Sequence, residues 1–156
     1  MAHIQPISHT YAPILKALHD DVNLPWERPW SEKAYEQTLE LLTTVALGVF
    51  DNQVFGDYDK LQAFLIATEY EGGAEILFLM TAPAARNKGH AETLLRHFLK
   101  NGAFNTVFLE VCTENTHAIM LYEKMGFQRT GLRKGYYHVP GSSQSYDALT
   151  MTWERE

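Results

Sequence analysis

Apolar residues recur along this chain at two different periods, and the change of period divides it. In "YAPILKALHDDV" the side chains of Ile14, Leu15 and Leu18 share one helical face. In "NLPWERPWSEKAYEQTLELLTT" Tyr35, Leu39 and Leu42 form a second helical stripe, and Ser31, ahead of Glu32, occupies the position of an N-cap. From Thr44 the runs become short and β-favouring. "VALGVF", "KLQAFLIATEY" and "AEILFLMT", parted by the turn-rich "DNQVFGDYD" and by "EGG", predict an antiparallel meander. The helical period then returns: Ala91, Leu94, Leu95, Phe98 and Leu99 lie on one face, Arg96, His97 and Lys100 suit the C-terminal end, and Gly102 ends the run. A strand "NTVFLEV", a helix "THAIMLYEKM" closed by Gly126, and a strand pair across "RTGLRKGYYHVPGSSQSYDALTMTWE" complete the chain. The predicted order is ααβββαβαββ. It describes an α/β (α+β) fold with a mixed, mostly antiparallel central sheet flanked by helices, and its strand–helix–strand step implies one locally parallel pair.

No repeat, linker or low-complexity run interrupts this pattern, so one domain spanning residues 1–156 is expected, long enough to bury a core without staples. The net charge of −6 argues against non-specific nucleic-acid binding, which needs a basic footprint. No apolar stretch is long enough to span a bilayer, and "MAHIQPISHT" lacks the basic and apolar regions of a signal peptide. With one cysteine, Cys112, neither an internal disulfide nor a Cys-based metal site is expected, and a reducing cytoplasm is the default setting. The seven histidines show no ligand spacing, so no metal is implied, and His90 reads as a solvated loop residue.

Two features carry chemistry. The first is the start of the helix in "RNKGHAETLLRHFLKNGA", where Asn87 is the one ordinary capping side chain near a basic, glycine-containing loop. A strand, such a loop and a helix bring backbone N–H groups and the positive helix end together, ready for a phosphate or pyrophosphate; a tight turn with a solvated basic loop explains the same residues. The second is Glu110 in "TVFLEVC". Val107, Leu109 and Val111 take one face of that strand, and Phe108 and Cys112 share the other with Glu110. A carboxylate on a strand apolar on both faces is expensive unless it has a partner or a task. Either burial tunes it as a base, or it is bonded to a backbone N–H or an arginine at the strand's end. Tyr122 shares a helical face with Ala118, Ile119 and Met125, as a packed core tyrosine would. Cys112, beside no activating group, reads as a small core residue rather than an acyl carrier.

The flanking sequence adds a resemblance. Arg86, Gly89 and Ala91 match the Q/R-x-x-G-x-G/A pyrophosphate loop of the GNAT family of N-acetyltransferases, and Asn115, Ala118, Leu121, Tyr122, Gly126 and Phe127 match its later N-x-x-A-x-x-L-Y-x-x-x-G-F pattern. "RPWSEKAY", "FLEV", "RKGYY" and "DALTM" resemble the RimI-type ribosomal-protein alanine N-acetyltransferases within that family. The resemblance implies the GNAT fold and acetyl-CoA as the donor. Leu79, Met80 and Thr81 would pair with the pantetheine arm, Arg86, Asn87, Lys88, Gly89, His90, Ala91 and Glu92 would hold the pyrophosphate, and Asn115 would contact the cofactor. It also implies Glu110 as general base, Tyr122 as general acid for the departing thiolate, and Trp26, Trp30, Tyr136 and Tyr137 along the acceptor groove, where core packing explains each of the four aromatics equally well. The acceptor would be a protein N-terminal α-amine, in that group a ribosomal one beginning with alanine. Acetylation of a small amine or of a lysine side chain is the alternative, and a non-catalytic acyl-CoA-binding module a further one. The sequence departs from the group in the Gly/Ser-rich "HVPGSSQSY", where charged residues are common, and at Tyr146, where an acid often sits.

Overall fold

Every residue from Leu61 to Ala67 is apolar or buried, and such a strand must lie inside a sheet covered on both faces. The computed structural model describes residues 2–51, 58, 60–139 and 141–156. In it, strands β1 (His3–Pro6), β2 (Thr44–Phe50), β3 (Leu61–Tyr70), β4 (Gly73–Thr81), β5 (Thr106–Cys112), β6 (Gln128–His138) and β7 (Ser145–Glu154) form a seven-stranded sheet in the order β1-β2-β3-β4-β5-β7-β6. Helices α1 (Ala12–Val22), α2 (Glu32–Glu40), α3 (His90–Asn101) and α4 (Thr116–Lys124) cover it. Ala63, Leu65 and Ala67 turn to one face with Leu94, Leu95 and Phe98 of α3 and Ile119 of α4. Phe64 and Ile66 turn to the other with Leu15 and Leu18 of α1 and Tyr35 of α2. Among the described residues no helix is long and apolar enough to cross a membrane.

The predicted order holds, with one strand added. β1 is a four-residue edge strand of mixed polarity, too short to show a period, and its antiparallel register on β2 (Ile4 opposite Val49) is set by its partner. The turn-rich segment 51–59 lies outside the described residues except for Asp51 and Tyr58. Leu42 does not continue the stripe of α2: it is fully exposed, beyond a helix that stops at Glu40. The Thr44 hydroxyl donates to the carbonyl of Thr38 at 2.6 Å and its N–H to Leu41, which turns the chain into β2 before another helical turn can form. The start of α2 is as expected, with the Ser31 hydroxyl accepting from the Ala34 N–H at 3.1 Å. Ser31→Ala should therefore lower the unfolding free energy by about 1 kcal/mol, read from the urea midpoint at unchanged slope.

One irregularity shapes the molecule. β4 pairs in parallel with β5 only from Gly73–Ile76 against Thr106–Leu109. On its other side Ile76 faces Ala67 and Phe78 faces Ile66, so Leu77 is an extra residue, a bulge that bends β4. Beyond it β4 stays with β3 while β5 stays with β7, and the two strands part. α3 follows β4 after the Pro83–Ala85 turn and a loop, α4 follows β5 after three residues, and the N-termini of both line the opening. Helices α1 and α2 reach over β2, β3 and β4 but not β5, which corrects the expectation of a strand buried on both faces: Phe108 is 44% exposed, and only the Cys112 end of that face is covered.

Candidate active site

The parted strands enclose a cleft of about 800 Å³, within the range of small-molecule sites. Its wall contains Leu79, Met80 and Thr81 of β4, the whole run from Arg86 to Glu92, and Glu110, Asn115, Tyr122, Trp26 and Tyr137. Trp30 and Tyr136 are not part of that wall.

At one end, a 3₁₀ turn at Pro83–Ala85 carries the chain from β4 into the basic loop, and Asn87 (φ 64) and Gly89 (φ 78) adopt left-handed backbone. Gly89 is the N-cap of α3, and among the described residues no side chain caps the helix. Polar side chains of the first turn are engaged elsewhere. Thr93 donates its hydroxyl to the Gly89 carbonyl at 2.8 Å, and the Glu92 carboxylate accepts from Lys124 at 2.6 Å and Arg96 at 3.1 Å. Those bonds, Lys124 first, hold the Glu92 pKa below the usual carboxylate range. The N–H groups of the first turn thus face the cleft beside Arg86 and Lys88, an anion site in form. His90 is not a solvated loop residue but the half-buried first residue of α3; burial, then the Lys88 charge, lowers its pKa and favours the neutral ring. Next to this end, Leu77–Thr81 present the β4 edge that β5 has left, a row of backbone groups able to pair with an extended amide-bearing arm.

In the middle of the cleft stands Glu110. Its Oε1 lies 3.3 Å from the Arg133 guanidinium, while its Oε2 is buried without a hydrogen-bond partner among the described residues. Arg133 is itself largely exposed and stacks on Tyr136, 5.3 Å from the ring centroid. Tyr122 reaches the cleft from α4; burial raises its pKa, so the phenol keeps its proton. Asn115, the N-cap of α4, accepts from the Ala118 N–H at 3.3 Å and lines the same wall. Cys112 is buried there too, and burial, the largest influence, pushes its thiol up, away from the reactive thiolate.

The aromatic residues divide. Trp26 lines the cleft and meets Tyr146 of β7 edge-on at 6.3 Å, which joins the α1–α2 loop to the β6–β7 hairpin across the opening. Tyr137 lines it as well, its pKa raised by burial first and then by the charge of Glu27. Trp30 packs into the core instead, 4.7 Å from Phe78 and 5.4 Å from Tyr35. Tyr136 is half exposed on β6, edge-on to Tyr137 at 5.0 Å. Glu27 is a cleft residue that the sequence did not single out; it is bonded to buried His19 at 2.9 Å.

Comparison with known proteins gives the family of the chain. A family model described as the Acetyltransferase (GNAT) family matches residues 15–127. The chain is similar to an N-alpha-acetyltransferase RimI of Mycobacterium tuberculosis, 45% identical over 69 residues, a stretch covering 44% of this chain and 41% of that protein. It thus spans less than half the length of that relative. It is 30% identical over 131 residues to a [ribosomal protein bS18]-alanine N-acetyltransferase of Salmonella typhimurium, covering 79% of each. Among solved structures, the ribosomal-protein-S18-alanine N-acetyltransferase from Escherichia coli superposes with a TM-score of 0.84 at 25% identity, over 99% of this chain and 94% of that one.

Proposed function

The chain belongs to the GNAT family of acetyltransferases, and on that premise we propose that it transfers the acetyl group of acetyl-CoA to the N-terminal α-amine of a protein. The observation that carries this reading is the buried Oε2 of Glu110, without a hydrogen-bond partner among the described residues, in the same cleft as the helix start of α3, which no described side chain caps, and the protonated Tyr122. A pure binder of the donor needs the first of these features, but neither of the proton-transfer groups.

The residues present fit the donor. The first turn of α3 with Arg86, Asn87, Lys88 and Gly89 suits its diphosphate, and the free edge at Leu79–Thr81 suits its amide-bearing arm. When bound, acetyl-CoA supplies an activated thioester. Glu110, directly or through a water, accepts the proton released as the amine nitrogen bonds to the carbonyl carbon. Tyr122 donates its proton to the sulfur as the carbon–sulfur bond breaks, and holding both reactants in one cleft supplies proximity. A backbone N–H near Met80 would polarise the carbonyl. An α-amine has a pKa near ~8, so one carboxylate is base enough to complete its deprotonation.

The acceptor assignment draws on the relatives' names and on the aromatic walls formed by Trp26 and Tyr137. A peptide with a free N-terminal alanine followed by basic residues should be acetylated faster than the same peptide with a blocked terminus and an internal lysine. A lysine amine, with a pKa near ~10.4, offers far less neutral nucleophile. Thiol release measures the rates, and mass spectrometry of the products locates the acetyl group. Preference for the internal lysine or for a small amine would replace this acceptor, and no thiol release from any amine would leave a binding module.

A further inference from the structure

His19 is a fully buried histidine with no place in the chemistry above. It lies on α1, 1% exposed, with Nδ1 2.5 Å from the Tyr35 hydroxyl and Nε2 2.9 Å from Glu27 Oε1. Tyr35, on α2, is itself fully buried, and burial first, then the charges of Glu27 and Asp20, raise its pKa, so it keeps its proton. The phenol then donates to Nδ1. A carboxylate only accepts, so Nε2–H donates to Glu27, and Nδ1 of the neutral ring is the acceptor that the phenol meets. The chain of bonds runs from the core to the cleft and ends on a carboxylate whose side chain is 22% exposed. Among the described residues no lysine or arginine pairs with Glu27.

A buried polar relay with every member bonded is a rigid mount, and an acid held by one is fixed in direction. Glu27 stands in the cleft wall next in the chain to Trp26, which meets Tyr146 of the β6–β7 hairpin. With Glu110 it places two carboxylates around Tyr137, whose phenol feels both charges. An amine reaches the cleft mostly as an ammonium, and two acids with an indole and a phenol form an ammonium-binding surface.

We propose that Glu27 is the acceptor-docking carboxylate of this cleft, holding the ammonium of the incoming amine before Glu110 takes its proton, and that His19 and Tyr35 are positioning residues acting through it. This rests on the amine-acetylation reading, and the test separates the two. The unaltered protein is first assayed against the panel of peptides and small amines, so a failure of the α-amine reading appears without any variant. Glu27→Gln is then assayed with the amine that the protein acetylates best. The acceptor KM should rise about tenfold, the low end for a lost charge-assisted bond at a partly exposed site, with kcat within about twofold and the acetyl-CoA KM unchanged.

Two variants at position 19 test the mount. A glutamine amide reaches the position of Nε2 and an asparagine amide only that of Nδ1. His19→Gln should therefore keep the acceptor KM near that of the unaltered protein, while His19→Asn should raise it as Glu27→Gln does and add nothing in the double variant. An unchanged acceptor KM in Glu27→Gln overturns the proposal. So does an equal rise in both substrates' KM, which signals a general structural effect, and so does a His19→Asn effect that adds in full to that of Glu27→Gln.

Discussion

Glu110→Gln is expected to lower turnover with a free-amine acceptor by about 10²-fold near neutral pH, the low end of what a general base contributes. The low end applies because an α-amine with a pKa near ~8 is already partly neutral there. The deficit should therefore shrink as pH rises through about 8, where the neutral nucleophile no longer depends on a base. Affinity for acetyl-CoA should not change, because the groups that suit the donor lie on β4, the basic loop, the start of α3 and the N-cap of α4.

Stability supplies the contrast. Arg133, the ion partner of Glu110, is largely exposed, so losing the pair removes little. Among the described residues the buried Oε2 has no hydrogen-bond partner to lose, and a neutral amide is less costly to keep out of water than a carboxylate. The variant should melt at or slightly above the temperature of the unaltered protein. A slow but fully stable enzyme is what a functional carboxylate gives, whereas a destabilised one with normal turnover would return Glu110 to a structural role. Initial rates across pH, calorimetric titration with CoA and a thermal melt together decide between them.

The sequence was most legible where the interactions are local. The stripe of α3, its glycine stop and the Ser31 cap all depend on neighbours within a turn or two, and the structure reproduces them. Glu110 was legible as an anomaly, and both readings left open for it have a part in the structure: an arginine holds one oxygen and burial isolates the other. The convergence of the phosphate loop, Glu110 and Tyr122 follows from the parting of β4 and β5, and that depends on a bulge at Leu77 with no signature in a run of apolar residues.

Trp26 and Trp30 show both sides of this limit. Trp30 precedes the Ser31 cap, and the residue it packs on, Tyr35, is the fourth of the helix; an apolar pair spanning a cap in this way fixes the entry angle of the chain. That signal was readable and assigns Trp30 to packing. Trp26 had no local signal, since its partner Tyr146 comes from the far end of the chain. Glu27 was hidden for the same reason: its mount needs side chains from both α1 and α2.

Gly89→Val should weaken acetyl-CoA binding by about 10²-fold, the equivalent of losing one or two charge-assisted hydrogen bonds. Crowding is not the cause, because a Cβ built on Gly89 meets nothing within 4 Å among the described residues. The backbone is: φ is +78° with ψ 15°, a region where a β-branched residue is strongly disfavoured. Valine would drive the residue to negative φ and swing the first turn of α3 away from the cleft, so its N–H groups no longer converge on one anion. The rest of α3 is anchored by Leu94, Leu95 and Phe98, so the fold should survive with a modest loss of melting temperature. Gly89→Asn separates conformation from side-chain bulk. Asparagine tolerates left-handed backbone, as Asn87 already does at φ 64 in the same loop, and this variant should retain most of the affinity. Calorimetric titration of both folded variants with acetyl-CoA reads the difference. Equal affinities for valine, asparagine and glycine would show that the start of α3 does not hold the diphosphate.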